Sequence, residues 1–426
     1  MRVMLFGSGY EPDLGPDAPL FTMLCENLVR LGHQVTVITS VPHYPSGHVS
    51  AEFRGKGKLL WKSVENGVNV IRVALPSVDR AKLPQRFLQY VCYQLGATWA
   101  GFGKQYDVVM ASSSSLTALL PFASMVVLPH KPAIYSVYDV YPSVGITLGI
   151  FRHKAVIALV SSMELFCLNH AAVVRIISDS FRPDLRAMGV PDDKMVLVYD
   201  WVDTDLVHPL PRDNAFSREH GLTGQFIVLY AGNIGLSQGL EHVLTAAEAL
   251  ADHQDILFVF VGDGANRESL VAEARRRQLK NVKFIPFQPR ERLPEVLASA
   301  DISLVSLQCR IGVCSLPSKT YSILASGRPI IACIDECSET WNLVQRAKAG
   351  LCIPPENPPA LVEALLKIKQ DREGQEQMGR NGRVWAEQHH SPQAGAKNIE
   401  ALMLEIIEKK EVENHRRKND LTSPHR

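Results

Sequence analysis

The feature that most constrains this chain is a rhythm that runs through it twice. Short apolar runs rich in β-branched residues alternate with helical patterns. The first set is RVMLF from Arg2, QVTVIT from Gln34, VNVIRVA from Val68, DVVMAS from Asp107, AIYSVYD from Ala133 and VVRIIS from Val173. The second is FIVLYAG from Phe226, ILFVFVGDG from Ile256, VKFIPF from Val282, ISLVSL from Ile302 and PIIACI from Pro329. A strand wetted on one face alternates apolar with polar residues. Uninterrupted apolar runs separated by helices belong to parallel sheets covered on both faces. The two sets flank a polar, proline-containing stretch near residues 203–224, which reads as an interdomain linker with a short helix. Each half is therefore expected to be an open α/β domain, with ligands at the carboxyl ends of its strands. Two such domains facing each other would hold a ligand cleft between them.

The chain's 426 residues leave room for two or three domains. An apolar fraction of 46% excludes disorder, and a net charge of +1 argues against a nucleic-acid binder. The eight cysteines form no CxxC pair, so they read as reduced thiols of a cytoplasmic protein rather than as metal ligands. Met1 leads straight into a strand-like run, without the pattern of a signal peptide. No stretch reaches the ~18 apolar residues that span a bilayer. Two segments break the rhythm. Residues 40–62 read as a loop with Pro42, Pro45 and Gly47 followed by Arg54, Lys56, Lys58 and Lys62. Residues 82–103 read as an apolar helix carrying Phe87, Tyr90, Tyr93, Trp99 and Phe102. A disordered tail is expected over 413–426.

Three motifs carry candidate chemistry. In YAGNIGLSQGLEHVL, residues 230–244, a strand runs into a loop with Gly232, Gly235 and Gly239 and then into a helix. Glycines let backbone approach a phosphate, and a helix start offers free N–H groups; a tight strand-to-helix turn has the same look. In FVFVGDGANRESL, Gly262 and Gly264 follow a buried strand. In LPSKTYSILASGRPIIA, Ser318 is placed to cap a helix that Gly327 ends. Lys319 falls in its first turn, where the helix field disfavours a cation. A bound anion accounts for that position, as does a solvated surface lysine.

These motifs, in this order, resemble the retaining family-4 glycosyltransferases of GT-B fold, over nearly the whole chain. FGSGYEPDLGPDAPLFTMLCENLVRLGHQVTVITSVPHYPSG at the N-terminus, VYDVYPSVGITLG, SDSFRPDL, YDWVDTDLVHP and MGRNGRVWAEQHHS all fit that family. PHYPSG, DVYP, WVDT and PSK look most like its colanic acid and O-antigen biosynthesis branch, near the fucosamine transferases. The resemblance implies two Rossmann-like doubly wound α/β domains. Residues 1–205 would bind the acceptor, completed by a crossover helix at about 391–412, and residues 206–390 would bind a nucleotide diphosphate-sugar, a UDP-sugar being favoured. It implies retention of configuration, with neither cofactor nor metal. By the same resemblance, Gly232, Gly235 and Lys319 face the diphosphate, and Gly262, Gly264 and Phe287 border the nucleotide. Gly15 leaves room for donor and acceptor, and Asp139 lies where the sugars meet.

The chain departs from the family pattern. The usual Glu-x7-Glu pair is missing, its second position being Ser322 and its first falling near Cys314. The common Arg and Lys of the first loop are Asn233 and Gln238. Lys319, and secondarily Arg310, remain as cations for the diphosphate. Asp139 either orients sugar hydroxyls or caps the turn before Tyr141-Pro142. His43 and His48 either reach the acceptor side or are solvated loop residues. The basic loop and the aromatic helix fit a polyprenyl-diphosphate-linked or other glycan acceptor at the anionic inner face of a membrane; the helix is equally readable as core. Two other functions stay open: a UDP-sugar 2-epimerase of the same fold, and a non-catalytic sugar-nucleotide or glycan-binding scaffold.

Overall fold

The computed structural model describes residues 1–15, 17–44, 46–79, 82–147, 151–309, 311 and 316–422. Arg310 and Cys314 lie outside the described residues. The chain divides into two compact units, Met1–Tyr199 with Gly395–Arg426, and Asp200–Ala394.

The first unit's sheet contains β1 (Arg2–Phe6), β2 (Gln34–Ser40), β3 (Leu60–Glu65), β4 (Val68–Val73), β5 (Val108–Ser112), β6 (Ala133–Val137), β7 (Val173–Ile176) and β8 (Met195–Leu197). Their order is β3-β4-β2-β1-β5-β6-β7-β8. Only the β3–β4 pairing is antiparallel among those described. The central strands β5 and β6 are buried at every position, which is why their sequence shows no alternation. The second unit's sheet contains β9 (Phe226–Ala231), β10 (Ile256–Val261), β11 (Val282–Ile285), β12 (Ile302–Ser306), β13 (Ile330–Cys333) and β14 (Gly350–Ile353). It is parallel, in the doubly wound order β11-β10-β9-β12-β13-β14. The winding reverses between β9 and β12, and a crevice opens at such a switch point beyond the carboxyl ends of the strands.

Three findings correct the sequence reading. The loop expected over 40–62 ends in β3, an edge strand whose side chains are mostly exposed, so it lacked the apolar signature of the others. The stretch near 203–224 holds the expected short helix, Ala215–Glu219, but it belongs to the second unit rather than linking the two. Val207, Phe216 and Leu222 are core residues of the second unit, and Arg383 holds the chain down by donating to the carbonyls of Thr204, Val207 and Ala325. The tail expected to be disordered from 413 continues as helix to Thr422, helped by same-face charge pairs such as Lys409–Glu405.

The last helix, Pro392–Thr422, returns to the first unit. Ala396, Ile399, Met403 and Ile406 bury one face at a spacing of three and four, and Glu400 meets His33 Nε2 at 2.7 Å. Met403 is fully buried. Met403→Ala should therefore cost about 2–5 kcal/mol, read as a lower urea midpoint for the first unit, with an exposed-face control at Leu404 close to wild type.

Candidate active site

At the switch point of the second sheet, the chain leaves β9 through Gly232 (φ 138°) and β10 through Gly262 (φ 143°). Both conformations are in the region that favours glycine. Gly262 has a second reason to be glycine: a Cβ there would lie 2.0 Å from the Gly232 carbonyl oxygen. The two loops pack backbone to backbone and form one wall of a cavity of about 360 Å3. Asn233, Gln238, Phe287, Ser318, Lys319 and Ser322 also line it. Thus residues singled out across ninety positions of sequence come together in one pocket. Phe287 stands exposed, 73%, at its mouth.

Lys319 dominates the chemistry of this pocket. It begins helix Lys319–Ala325 and reaches across to β9. Its Nζ donates to Tyr230 Oη at 2.5 Å and to Gln238 Oε1 at 3.1 Å, and it lies 3.9 Å from the centre of the Tyr230 ring. Tyr230 Oη in turn donates to the Asn233 carbonyl at 2.6 Å, pinning the glycine loop. The Lys319 stem stays partly exposed to the cavity, but its amine lies deep enough that burial drives its pKa down to about 7. No carboxylate stands against it among the described residues. The reading of Lys319 as a solvated surface lysine is therefore overturned. What remains is an amine held by neutral acceptors beside a glycine-lined cavity, a ready partner for an anion.

The other expected residues fall into place less uniformly. Gly235 and Gly264 are not among the residues that line the cavity. Gly264 serves packing, since a Cβ on it would meet the Ile234 carbonyl at 2.4 Å. Ser318 occupies the N-cap position, but its hydroxyl makes no capping bond because its backbone is already helical. Arg310 falls outside the described residues. Tyr230 was not singled out; a strand-end tyrosine within an apolar run carries no signal until its partner across the sheet is known.

In the first unit, Gly15 and His43 line a separate pocket at the carboxyl ends of the strands. Gly15 N–H donates to Asp13 Oδ1 at 2.8 Å. His43 N–H donates to Asp13 Oδ2 at 2.9 Å, and His43 Nδ1 lies 3.2 Å from the same oxygen. Burial pushes the Asp13 carboxyl up, but the bonds from His43 and Gly15 outweigh it and hold it below the ordinary range. His48 does not join them. It is exposed and lines another hollow with Arg54, Lys56, Lys58 and Trp61. Asp139 follows β6, exposed and without a hydrogen bond among the described residues, so it does not cap the turn before Tyr141. Desolvation by the surrounding protein raises its carboxyl pKa.

Helix Leu83–Gly101 is not ordinary core. Tyr93 is buried, but Leu88, Leu95 and Trp99 are exposed on one face, followed by exposed Phe102. Gln89 ties the helix to the basic loop by donating to the carbonyls of Gly47 and Pro76. No helix among the described residues is long and apolar enough to cross a membrane.

Comparison with known proteins agrees with this architecture. Residues 18–201 match the glycosyl transferase 4-like domain and residues 212–385 match the glycosyl transferases group 1 domain. The chain is 26% identical over 375 residues to the colanic acid biosynthesis glycosyl transferase WcaI of Escherichia coli, covering 86% of this chain and 91% of the relative. It is 26% identical over 267 residues to the glycosyltransferase WbjE of Pseudomonas aeruginosa, covering 62% and 66%. Among solved structures, sucrose-phosphate synthase of Thermosynechococcus elongatus superposes with a TM-score of 0.72 at 17% identity, over 96% of this chain and 100% of that one. Anabaena HepE in complex with UDP superposes with a TM-score of 0.69 at 14% identity, over 95% and 100%. The fold is GT-B.

The buried amine makes a prediction about stability. The folded-state pKa of Lys319, about 7, lies below its ordinary 10.5. Between those values the unfolded chain binds the extra proton, so this group makes stability rise with pH. Lys319→Met should therefore melt higher than wild type. The gap should be widest below pH 7 and close towards pH 10, as followed by melting curves across that range.

Proposed function

Since the chain belongs to the glycosyltransferases built from a 4-like domain followed by a group 1 domain, we propose that it transfers a sugar from a nucleotide diphosphate-sugar, a UDP-sugar first among the candidates, with retention of configuration and without a metal. The observation that carries this reading is the Lys319 amine set against the Gly232 loop with no carboxylate partner among the described residues. When the glycosidic bond to the diphosphate breaks, negative charge grows on the leaving oxygen. A preorganised cation and backbone N–H groups stabilise that charge. A diphosphate would also restore the charged state of Lys319, since a nearby anion favours the ammonium. In this reading the departing phosphate takes the acceptor's proton on the face it leaves. Asp139 is the candidate for orienting hydroxyls, and Ser322 replaces a carboxylate at the ribose. An epimerase or a binding scaffold gains no specific support from this geometry.

The similarity to a colanic acid transferase supports a place in surface polysaccharide biosynthesis, with a glycan or polyprenyl-diphosphate-linked acceptor. The exposed stripe Leu88, Leu95, Trp99 and Phe102, with the exposed cations Arg54, Lys56 and Lys58 on the loop tied to the same helix and Lys62 on β3 just beyond it, supports docking of the first unit on an anionic membrane face. Aromatic side chains settle at the interface, and each cation near it adds about 1 kcal/mol.

Three experiments test these proposals. Nucleoside diphosphates should raise the melting temperature selectively, and a ligand at 100 times its Kd adds ~2.7 kcal/mol. In turnover with the donor so identified, Lys319→Ala should lower kcat about a hundredfold or more while EDTA changes nothing. An unchanged rate at saturating donor removes Lys319 from the site. Separately, wild type should co-sediment with phosphatidylglycerol vesicles but not with phosphatidylcholine ones. Trp99→Ser with Phe102→Ser should abolish that binding; retention by the double variant refutes the docking face.

A further inference from the structure

A hollow of about 860 Å3 lies at the other end of the second unit's sheet from Lys319. It opens at the amino ends of the strands, where Phe226 begins β9, Asp255 precedes β10 and Asp301 precedes β12. β9 is six residues long, so about 20 Å of strand separates the hollow from the Gly232 cavity.

Cations line this hollow in excess. Helix Arg372–His389 presents Arg372, Glu376 and Arg380 to it at a spacing of four. The helix comes close because Gly379 carries no side chain: a Cβ there would lie 2.2 Å from the Gly327 carbonyl oxygen. Glu376 lies 3.5 Å from Arg372 and 3.6 Å from Arg380, so one carboxylate serves two guanidiniums. The same shortage recurs deeper in. Arg212 Nε lies 2.8 Å from Asp301 Oδ2, and the charge of Asp301 also acts on Arg328. Asp301 is not free to move towards either, because the same oxygen accepts from Ile227 N–H at 2.7 Å. Arg328 donates to the Leu210 carbonyl at 2.9 Å and has no ion pair among the described residues. Burial lowers its pKa; Asp301 opposes that and Arg212 adds to it. Nε and Nη2 of Arg212 and Nε of Arg328 are buried without a hydrogen bond among the described residues. The other cations of the hollow are settled, Lys369 against Asp255 at 2.5 Å and Arg383 against Glu387 at 2.7 Å. Two pairs of guanidiniums therefore hold one carboxylate each, and two positive charges are left uncompensated.

Such a surplus inside a concave site calls for a compact anion. A phosphoryl group brings about −1.5 to −2 charge and three acceptor oxygens, and a guanidinium holds it by paired N–H bonds. A carboxylate brings less charge and fewer oxygens. The volume suits a small molecule taken in whole. We propose that this hollow is a second anion site, which binds a small soluble compound carrying two or more phosphoryl groups, one at Arg212 and Arg328 and another at Arg372 and Arg380. It can be filled while the Gly232 cavity is occupied, and it stands whether or not that cavity takes a nucleotide-sugar.

The test is isothermal titration of the full chain with sodium tripolyphosphate and with orthophosphate. Tripolyphosphate should bind at least about tenfold tighter, since it reaches both pairs. Lys319→Ala should bind it as wild type does, which separates the hollow from the Gly232 cavity. Arg372 and Arg380 are exposed. Arg372→Gln with Arg380→Gln should therefore keep the wild-type melting temperature, yet weaken tripolyphosphate about tenfold or more, the loss of charge-assisted hydrogen bonds. Arg328→Gln should do the same from the inner pair; should it fail to fold, the outer variant decides. Phosphatidylglycerol vesicles should not displace tripolyphosphate. The proposal is overturned if tripolyphosphate does not bind or binds no tighter than orthophosphate. It is also overturned if the outer variant binds as wild type does, if Lys319→Ala abolishes binding, or if vesicles displace the ligand, the hollow then taking lipid headgroups. In the melting assay with nucleoside diphosphates, a response lost in Lys319→Ala belongs to the Gly232 cavity, and one lost in the outer variant belongs to this hollow.

Discussion

An amine buried among neutral acceptors is a costly arrangement, and much of the second unit is organised around keeping one there. Lys319 is enclosed because Tyr230, at the end of β9, presents its ring and hydroxyl to it. Tyr230 is fixed because its hydroxyl holds the Asn233 carbonyl in the glycine loop. That loop keeps its course because β10's exit, at Gly262, lies against it with no side chain between. A helix start, two strand ends and two backbone turns are thereby held to one geometry. The cavity is the space they leave. Such a site sacrifices stability for a cation without a counterion, which is the usual relation between a preorganised site and its fold.

How much of this was legible in the sequence depends on the kind of signal. Strands buried on both faces announce themselves, and eleven apolar runs fell where strands lie. β3 did not, because an exposed edge strand such as LWKSVE looks like loop. β8, of three residues, was too short to stand out, and β14 opens on Gly350, which weakens a strand pattern. Glycines at strand ends were correctly gathered, but their reasons differ. Gly232 and Gly262 shape the cavity, whereas Gly264 only lets two loops touch. A pattern of glycines cannot separate these roles, since both demand a missing Cβ.

Side-chain partnerships were less accessible still. That Lys319 matters could be argued from its position against the helix field, but its enclosure by Tyr230, 89 residues earlier, is a tertiary fact. Asp13 and Asp17 passed unnoticed in a stretch where they look like ordinary loop acids. Only folding shows that one is saturated and that the other has, among the described residues, no partner beyond its own backbone N–H. Ser318 illustrates the reverse error. Its residue type and position suit a cap, but its backbone is already helical and the hydroxyl cannot reach.

The return of the last helix to the first unit has a consequence for how the molecule comes into being. Residues 200–394 form a unit of their own, inserted into the chain of the other. During synthesis, the eight strands of the first sheet emerge long before the helix that covers them, and the whole second unit is made in the interval. The unit begun first is thus finished last. Until then the surface awaiting Ile399 and Met403 stays open, and transiently open apolar surface invites misassembly. The second unit, by contrast, emerges in one uninterrupted piece and can close as soon as it is made. A chaperone acting on this protein would be needed for its older half.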